Sequence, residues 1–390
     1  MRIAVFTGAR AEYGLLRPVL EHLRDEPDAE LLLLVSGSHL SARHGHTVDE
    51  IRGHGFEPDA EIPLDLDDDS PQGVARAASQ ALAGCAEALG RLKPDRLLIL
   101  GDRYEALACA VAAALCRVPI AHIHGGEATR GAVDDQFRHA LTKLAALHFT
   151  ACEDYRRRVI QMGERPETVF NVGALGVESA LTLPLPDRAA LEADLEFPLG
   201  PEFVLATFHP VTLDADPAEQ ARSFFAGLGR ALGERPGLRA VITGANADAG
   251  GGMVDALARD LAGRFPGRIL TRPSLGQLRY LSAMKHCRCV AGNSSSGVIE
   301  APSFGVPTVN VGSRQDGRVR AASVLDCPAE AEAVALALRR ALSDEGAALA
   351  RNATNPLQKD GTSRRIAEVL ASWRGGPEKV FRDLPVPASL

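Results

Sequence analysis

No stretch of this 390-residue chain stays apolar for the ~20 residues that a membrane-spanning helix requires, so a helical membrane protein and a membrane partner are excluded. The N-terminus lacks a basic region, a long apolar segment and a small-residue cleavage site. Ile3-Ala4-Val5-Phe6 enters a strand-like run directly, no secretory signal is visible, and the cytoplasm is the expected location. Positive charge is not in excess either: 43 Lys and Arg stand against 50 Asp and Glu, for a net charge of −7. That balance argues against nucleic acid, whose binding needs clustered cations. Cys-x-x-Cys pairs are absent. The seven cysteines, Cys85, Cys109, Cys116, Cys152, Cys287, Cys289 and Cys327, are scattered and odd in number and are expected to be reduced, mostly buried small hydrophobes. Cys287-Arg288-Cys289 stays open as a redox or metal pair, although no partner motif lies nearby. Internal repeats and low-complexity tracts are lacking. Asp65-Leu66-Asp67-Asp68-Asp69 has neither the glycine nor the downstream glutamate of a calcium loop and reads as a solvated acidic loop. The dinucleotide fingerprint Gly-x-Gly-x-x-Gly is missing after the first strand, and Gly227-Leu228-Gly229 falls inside a helical pattern, so no nicotinamide cofactor is expected.

What is present is an alternation. Short β-rich apolar runs (Leu31–Val35, Arg96–Leu100, Pro119–Ile123, Val169–Val172) recur between longer helical patterns. Continuous apolar strands alternating with helices imply a parallel sheet covered on both faces. The pattern restarts with Phe203–Phe208, Leu238–Thr243, Arg268–Leu270, Cys289–Ala291 and Pro307–Val311. The length also exceeds what one core usually serves. The expected fold is α/β, two doubly wound Rossmann-like domains facing across a cleft. Residues 1–180 form the first, the proline-rich and aperiodic 181–202 a linker, 203–365 the second, and 366–390 a final helix and tail. Ligands of such domains bind at the carboxyl ends of the strands. Polar motifs do follow strands: Thr7-Gly8-Ala9-Arg10, Gly101-Asp102-Arg103, His124-Gly125-Gly126-Glu127 and His209-Pro210.

The most telling stretch is Gly292-Asn293-Ser294-Ser295-Ser296-Gly297-Val298-Ile299-Glu300, a small polar turn between a strand and a short helix. Small side chains let backbone N–H groups and hydroxyls approach a phosphate, and Glu300 is spaced to reach a sugar ring. A plain serine-rich connection is the alternative reading.

Taken with Thr7–Gly14, Gly101–Glu105, His122–Glu127, Asp134-Asp135 with Arg138-His139-Ala140, Phe208–Thr212 and Ala301–Gln315, this turn resembles the hydrolysing UDP-N-acetylglucosamine 2-epimerases. The blocks run in the family's order from residue 3 to about 320. The resemblance implies a fold similar to the GT-B glycosyltransferases, with the last helix crossing back onto the first domain. It implies a UDP-sugar substrate, no cofactor, and hydrolysis of UDP-N-acetylglucosamine to N-acetylmannosamine and UDP, the entry to sialic-type sugars. By the same resemblance Arg10, Arg103, His209, Ser294, Ser295, Gly297 and Arg314, with Asn246 in addition, are expected to contact UDP, and Glu300 the uridine ribose. A homo-oligomer is the expected assembly.

The chemistry can be weighed on its own. Inverting a carbon that carries an unactivated C–H takes oxidation beside it or elimination that makes it trigonal. Without a nicotinamide, elimination is left: UDP departs from C1, a base takes the C2 proton, and water adds to the glycal. This demands anion stabilisers and proton-exchanging groups. Asp102, Glu127 and Asp134 match the family's acidic residues, and His209 is counted with the reacting groups. Crowded carboxylates raise one another's pKa, which lets one serve as acid and its neighbour as base; the order is not legible. Asp102 and Asp134 could instead cap or open helices. Some relatives carry an acid where this chain has His124, so either His124 or Glu127 fills that role. His122 and His124 lie two apart in a strand and point to opposite faces, so no metal site is expected; His122 should be packed inside. The loop carrying His39, His44 and His46 reads as a sugar-side lid. The same chemistry on UDP-2,4-diacetamido-2,4,6-trideoxyhexose, a non-hydrolysing epimerase, and a non-catalytic nucleotide-sugar binding module are the competing readings.

Overall fold

The computed structural model describes residues 1–129, 133–210, 216–244 and 251–385. It divides into two compact units, one of residues 1–127, 133–178 and 359–385, the other of residues 179–358 together with Ala128 and Thr129.

The first unit holds a seven-stranded sheet in the order β3-β2-β1-β4-β5-β6-β7. Its strands are β1 (Arg2–Thr7), β2 (Glu30–Ser36), β3 (Ala60–Ile62), β4 (Arg96–Leu100), β5 (Ile120–Ile123), β6 (Leu147–Thr150) and β7 (Val169–Asn171). Every pairing is parallel. Alternate residues of one strand enter different cores, as the period of two requires. Ile3 and Val5 pack with helix Arg10–Asp25 on one face, whereas Ala4 and Phe6 pack with helices Pro71–Leu92 and Tyr104–Leu115 on the other. Both faces are therefore apolar, and the strands read as unbroken hydrophobic runs. Helix Pro71–Leu92 begins where the sequence favours it: Pro71 is its first residue, and the Ser70 hydroxyl accepts the Gly73 N–H at 3.1 Å.

The last helix, Thr362–Ser372, belongs to this first unit and buries Ile366, Ala367 and Leu370 in the core beside Tyr13 and Leu16. The Thr362 hydroxyl donates to the Val172 carbonyl at 2.7 Å. Buried Arg96 donates to the carbonyls of Leu370 (2.5 Å) and Trp373 (2.7 Å), and its guanidinium lies 5.2 Å from the Trp373 ring centre.

The second unit has six parallel strands in the order β10-β9-β8-β11-β12-β13. These are β8 (Glu202–Thr207), β9 (Leu238–Thr243), β10 (Ile269–Arg272), β11 (Cys289–Gly292), β12 (Thr308–Val311) and β13 (Val324–Cys327). Residues 181–202, expected as a linker, contain a helix over Arg188–Leu195. The Asp187 carboxylate caps it by accepting the Ala190 N–H at 2.8 Å, and Leu191, Leu195 and Leu199 are buried in the unit's core. One turn of i, i+4 leucines between prolines is too short a period to stand out in sequence.

Candidate active site

In the first sheet the strand order reverses between β1 and β4, and the connections leaving these strands diverge to opposite faces. The crevice this opens at the carboxyl ends is where doubly wound sheets take ligands. β1 runs into Gly8-Ala9-Arg10, β4 into Gly101-Asp102-Arg103, and adjacent β5 into His124–Glu127. The ends of β4 and β5 are fastened together. Gly101 N–H donates to the Ile123 carbonyl at 3.2 Å, and His122 Nε2 lies 2.8 Å from the Gly101 carbonyl oxygen. His122 is wholly buried, and burial pushes its pKa down to about 3. A neutral, inward-packed His122 is thus a structural clamp, as its strand position indicated.

Asp102 does not cap the following helix, whose first turn receives no side-chain cap. Its carboxylate pairs instead with the guanidinium of buried Arg138. Arg138 also donates to Asp135 Oδ1 at 3.0 Å and to the Glu127 carbonyl at 3.2 Å. Burial works against the charge of Arg138, but Asp102, and after it Glu127, raise its pKa on balance. Asp134 opens helix Asp134–Leu144 and is half-buried. Glu127 is buried and holds His124, its Oε1 standing 2.7 Å from Nδ1.

A second acidic group lies at the same strand ends. Arg103 Nε donates to Glu105 Oε1 at 2.5 Å and stands 4.0 Å from Glu12 Oε1. Glu12 accepts the Gly8 N–H at 2.8 Å. Both carboxylates are buried, and the Glu12 pKa is pushed up to about 8, first by burial and next by Glu105. Arg10, by contrast, is exposed and paired with Glu50 at 3.1 Å, a surface contact of little energetic weight. In the loop expected as a lid, His39 is buried between the hydroxyls of Thr7 (3.0 Å) and Thr47 (2.8 Å).

The second sheet reverses between β8 and β11, and the serine turn and His209 follow those strands. The Asn293 side chain ties them together. Its Oδ1 accepts the His209 N–H at 2.7 Å, and its Nδ2 donates to the His209 carbonyl at 2.8 Å. The Asn293 carbonyl in turn accepts from Arg314 Nη1 (3.0 Å) and Gln315 Nε2 (2.8 Å). His209 is buried, and burial, assisted by Arg314, lowers its pKa to about 4, so it is neutral at pH 7. Gly292 has φ +130°, and a Cβ there would overlap the Thr207 carbonyl oxygen; no other residue fits. Ser294 precedes helix Ser295–Ile299, and its hydroxyl lies 3.0 Å from that of Ser296, which lies 2.7 Å from the Tyr280 hydroxyl. Buried Gly297 accepts the Thr308 hydroxyl at 2.7 Å, and half-buried Glu300 follows the helix.

A family model described as UDP-N-acetylglucosamine 2-epimerase matches residues 21–371. The chain belongs to this epimerase family. Polysialic acid biosynthesis protein P7 of Escherichia coli is 33% identical over 389 residues, covering 98% of this chain and 96% of that protein. The hydrolysing UDP-N,N'-diacetylbacillosamine 2-epimerase of Legionella pneumophila is 36% identical over 342 residues, 88% and 89% of the two chains. Among solved structures, the UDP-GlcNAc 2-epimerase of Neisseria meningitidis bound to UDP-GlcNAc superposes with a TM-score of 0.80 at 18% identity, over 95% of this chain and 99% of that one. It shares the fold of two doubly wound α/β units.

Within this epimerase chain, the first unit therefore gathers Asp102, Arg103, His124 and Glu127 around two strand ends, and the second gathers His209, Ser294, Ser295 and Arg314. Glu12, Glu105, Arg138 and Asn293 were present in the recognised motifs without a role of their own; Glu12, Glu105 and Asn293 closely follow β1, β4 and β11, the signal that could have singled them out, whereas Arg138 lies inside helix Asp134–Leu144. Asn246, and Val211 and Thr212 of the His-Pro motif, lie outside the described residues. Among the described residues, no three His, Cys, Asp or Glu side chains are grouped to hold a metal ion, and no helix is long and apolar enough to cross a membrane.

Proposed function

We propose that this epimerase is hydrolysing: it converts UDP-N-acetylglucosamine and water to N-acetylmannosamine and UDP, by elimination of UDP and rehydration of the glycal. The observation that carries the reading is the chemistry gathered at the switch point of each unit. In the first unit Asp102, His124 and Glu127 supply groups that hold or exchange protons, with Asp134 at the start of the neighbouring helix. In the second, Arg314, neutral His209 and the hydroxyls of Ser294 and Ser295 supply donors for a diphosphate, with Glu300 for the ribose and buried Gly297 giving the turn its close packing. Arg10 and Arg103 add cationic charge at the β1 and β4 ends. Donors aimed at the departing diphosphate stabilise the charge that develops there, and positioned acids and bases lower the cost of breaking C2–H. The hydrolysing name of the Legionella relative and the polysialic acid name of the Escherichia coli relative support a free-sugar product feeding sialic-type synthesis.

The Legionella relative also favours a second substrate, UDP-N,N'-diacetylbacillosamine, handled by the same steps. Incubation of the purified protein with each sugar nucleotide, followed by assay of released UDP, decides between them. Release from UDP-N-acetylglucosamine at a higher kcat/KM is the expected result. Preference for the diacetamido sugar moves the assignment to the second reading, and formation of UDP-N-acetylmannosamine without free UDP overturns both.

A further inference from the structure

The turn after β5 is built to hold one histidine in one state. His124 has φ +68°, a left-handed conformation costly for a residue with a Cβ. Its backbone N–H donates to the Phe149 carbonyl at 2.9 Å. The residues after it leave no slack: a Cβ on Gly125 would stand 3.0 Å from the Thr142 hydroxyl, and Gly126, at φ +80°, packs against the Tyr155 carbonyl. The chain thereby swings Glu127 back so that its Oε1 meets His124 Nδ1 at 2.7 Å. The other ring nitrogen, Nε2, is shielded from solvent and makes no hydrogen bond to a described residue. A buried ring nitrogen left bare costs free energy, which marks it as a group reserved for a ligand.

We infer that His124, through Nε2, is the base that takes the C2 proton, and that Glu127 is a positioning residue that keeps the neighbouring Nδ1 protonated. This rests on the hydrolysing-epimerase reading. A carboxylate accepting from Nδ1–H leaves Nε2 as the lone-pair nitrogen and stabilises the imidazolium once it forms. In the step, the C2–H bond breaks and its proton goes to Nε2. The bonding pair becomes the C1=C2 bond, the C1–O bond breaks, and its pair leaves on UDP. Water then adds hydroxyl to C1 and a proton to C2 on the opposite face, and His124 returns its proton to solvent.

The test is chemical rescue in the full-length protein, with UDP release and UDP affinity read together. H124A should lose at least a hundredfold in kcat and regain at least tenfold on addition of imidazole, with UDP affinity within about threefold of wild type. E127Q, which replaces the carboxylate by a neutral amide and so removes the charge that stabilises the imidazolium, should lose roughly a hundredfold or more in kcat with KM little changed, and E127D should recover part of it. The assignment is overturned if H124Q keeps more than a tenth of the wild-type kcat, or if formate restores E127A while imidazole leaves H124A inactive, because Glu127 would then be the base. Should H124A fail to bind UDP, H124Q and E127Q decide by the same readings. Wild-type protein that releases no UDP from either sugar overturns the parent reading instead.

Discussion

Glu12 offers the sharpest stability prediction. Its carboxyl is buried beside Glu105 and shares one guanidinium with it, so it keeps a proton well above the usual range. A rise from 4.5 to about 8 corresponds, at about 1.4 kcal/mol per unit, to at most roughly 5 kcal/mol. The direction follows from proton counting. Between pH 4.5 and about 8 the unfolded chain has released this proton and the folded chain retains it. Stability that is fully present below 4.5 is therefore lost progressively as pH rises to about 8, and is level beyond that. Glu12→Gln keeps an acceptor for the Gly8 N–H and removes the titration. Taking half the upper figure for the coupling to Arg103 and Glu105, about 2.5 kcal/mol, and about 2–4 °C per kcal/mol for a unit of this size, the variant should gain roughly 5–10 °C in Tm on wild type between pH 5 and 8. Thermal unfolding of both proteins across that range measures it. Parallel Tm curves, separated by a constant offset, would refute a protonated Glu12.

Three further outcomes are expected. Arg314→Ala should weaken UDP binding about tenfold or more, the weight of a charged hydrogen bond, as read by titration calorimetry; unchanged affinity would return Arg314 to a role confined to the Asn293 carbonyl. Gly292→Ala should abolish soluble folded protein, since the added methyl collides with the Thr207 backbone at a positive φ, and a well-folded variant in circular dichroism would contradict the geometry. Glu164 lies between His148, Lys143 and Lys379; burial alone would raise its pKa, but those hydrogen bonds pull it to about 2. Its contribution is present above about 4.5 and disappears as pH falls toward 2, so wild type should lose stability faster than Glu164→Gln over that acid window in thermal melts.

The central strands were legible because both faces of each sheet are covered, which turns a strand such as Leu31–Val35 into an unbroken apolar word. Of the edge strands, β7 and β10 were read but β3 and β13 were not. β3 is three residues with Glu61 facing solvent, and β13 exposes Asp326, so neither interrupts its surroundings. β6 was hidden by His148, whose burial depends on Glu164 in the loop after helix Glu153–Gln161. The site shows the same division. Asp102, His124, His209 and the serine turn were readable as polar residues directly after strands. Their pairings were not, because Arg138 comes to Asp102 from 36 positions away and Asn293 to His209 from 84. The contact of His124 with Glu127 spans only three residues, yet it depends on a left-handed histidine, which local propensity argues against.

The most direct measurement is mass spectrometry of the products formed from UDP-N-acetylglucosamine in heavy-oxygen, deuterated water. Elimination and rehydration predict UDP free of heavy oxygen, and N-acetylmannosamine with heavy oxygen at C1 and deuterium at C2, read before anomeric exchange with solvent. Heavy oxygen in the UDP, or an N-acetylmannosamine that keeps its original hydrogen at C2, would contradict that chemistry.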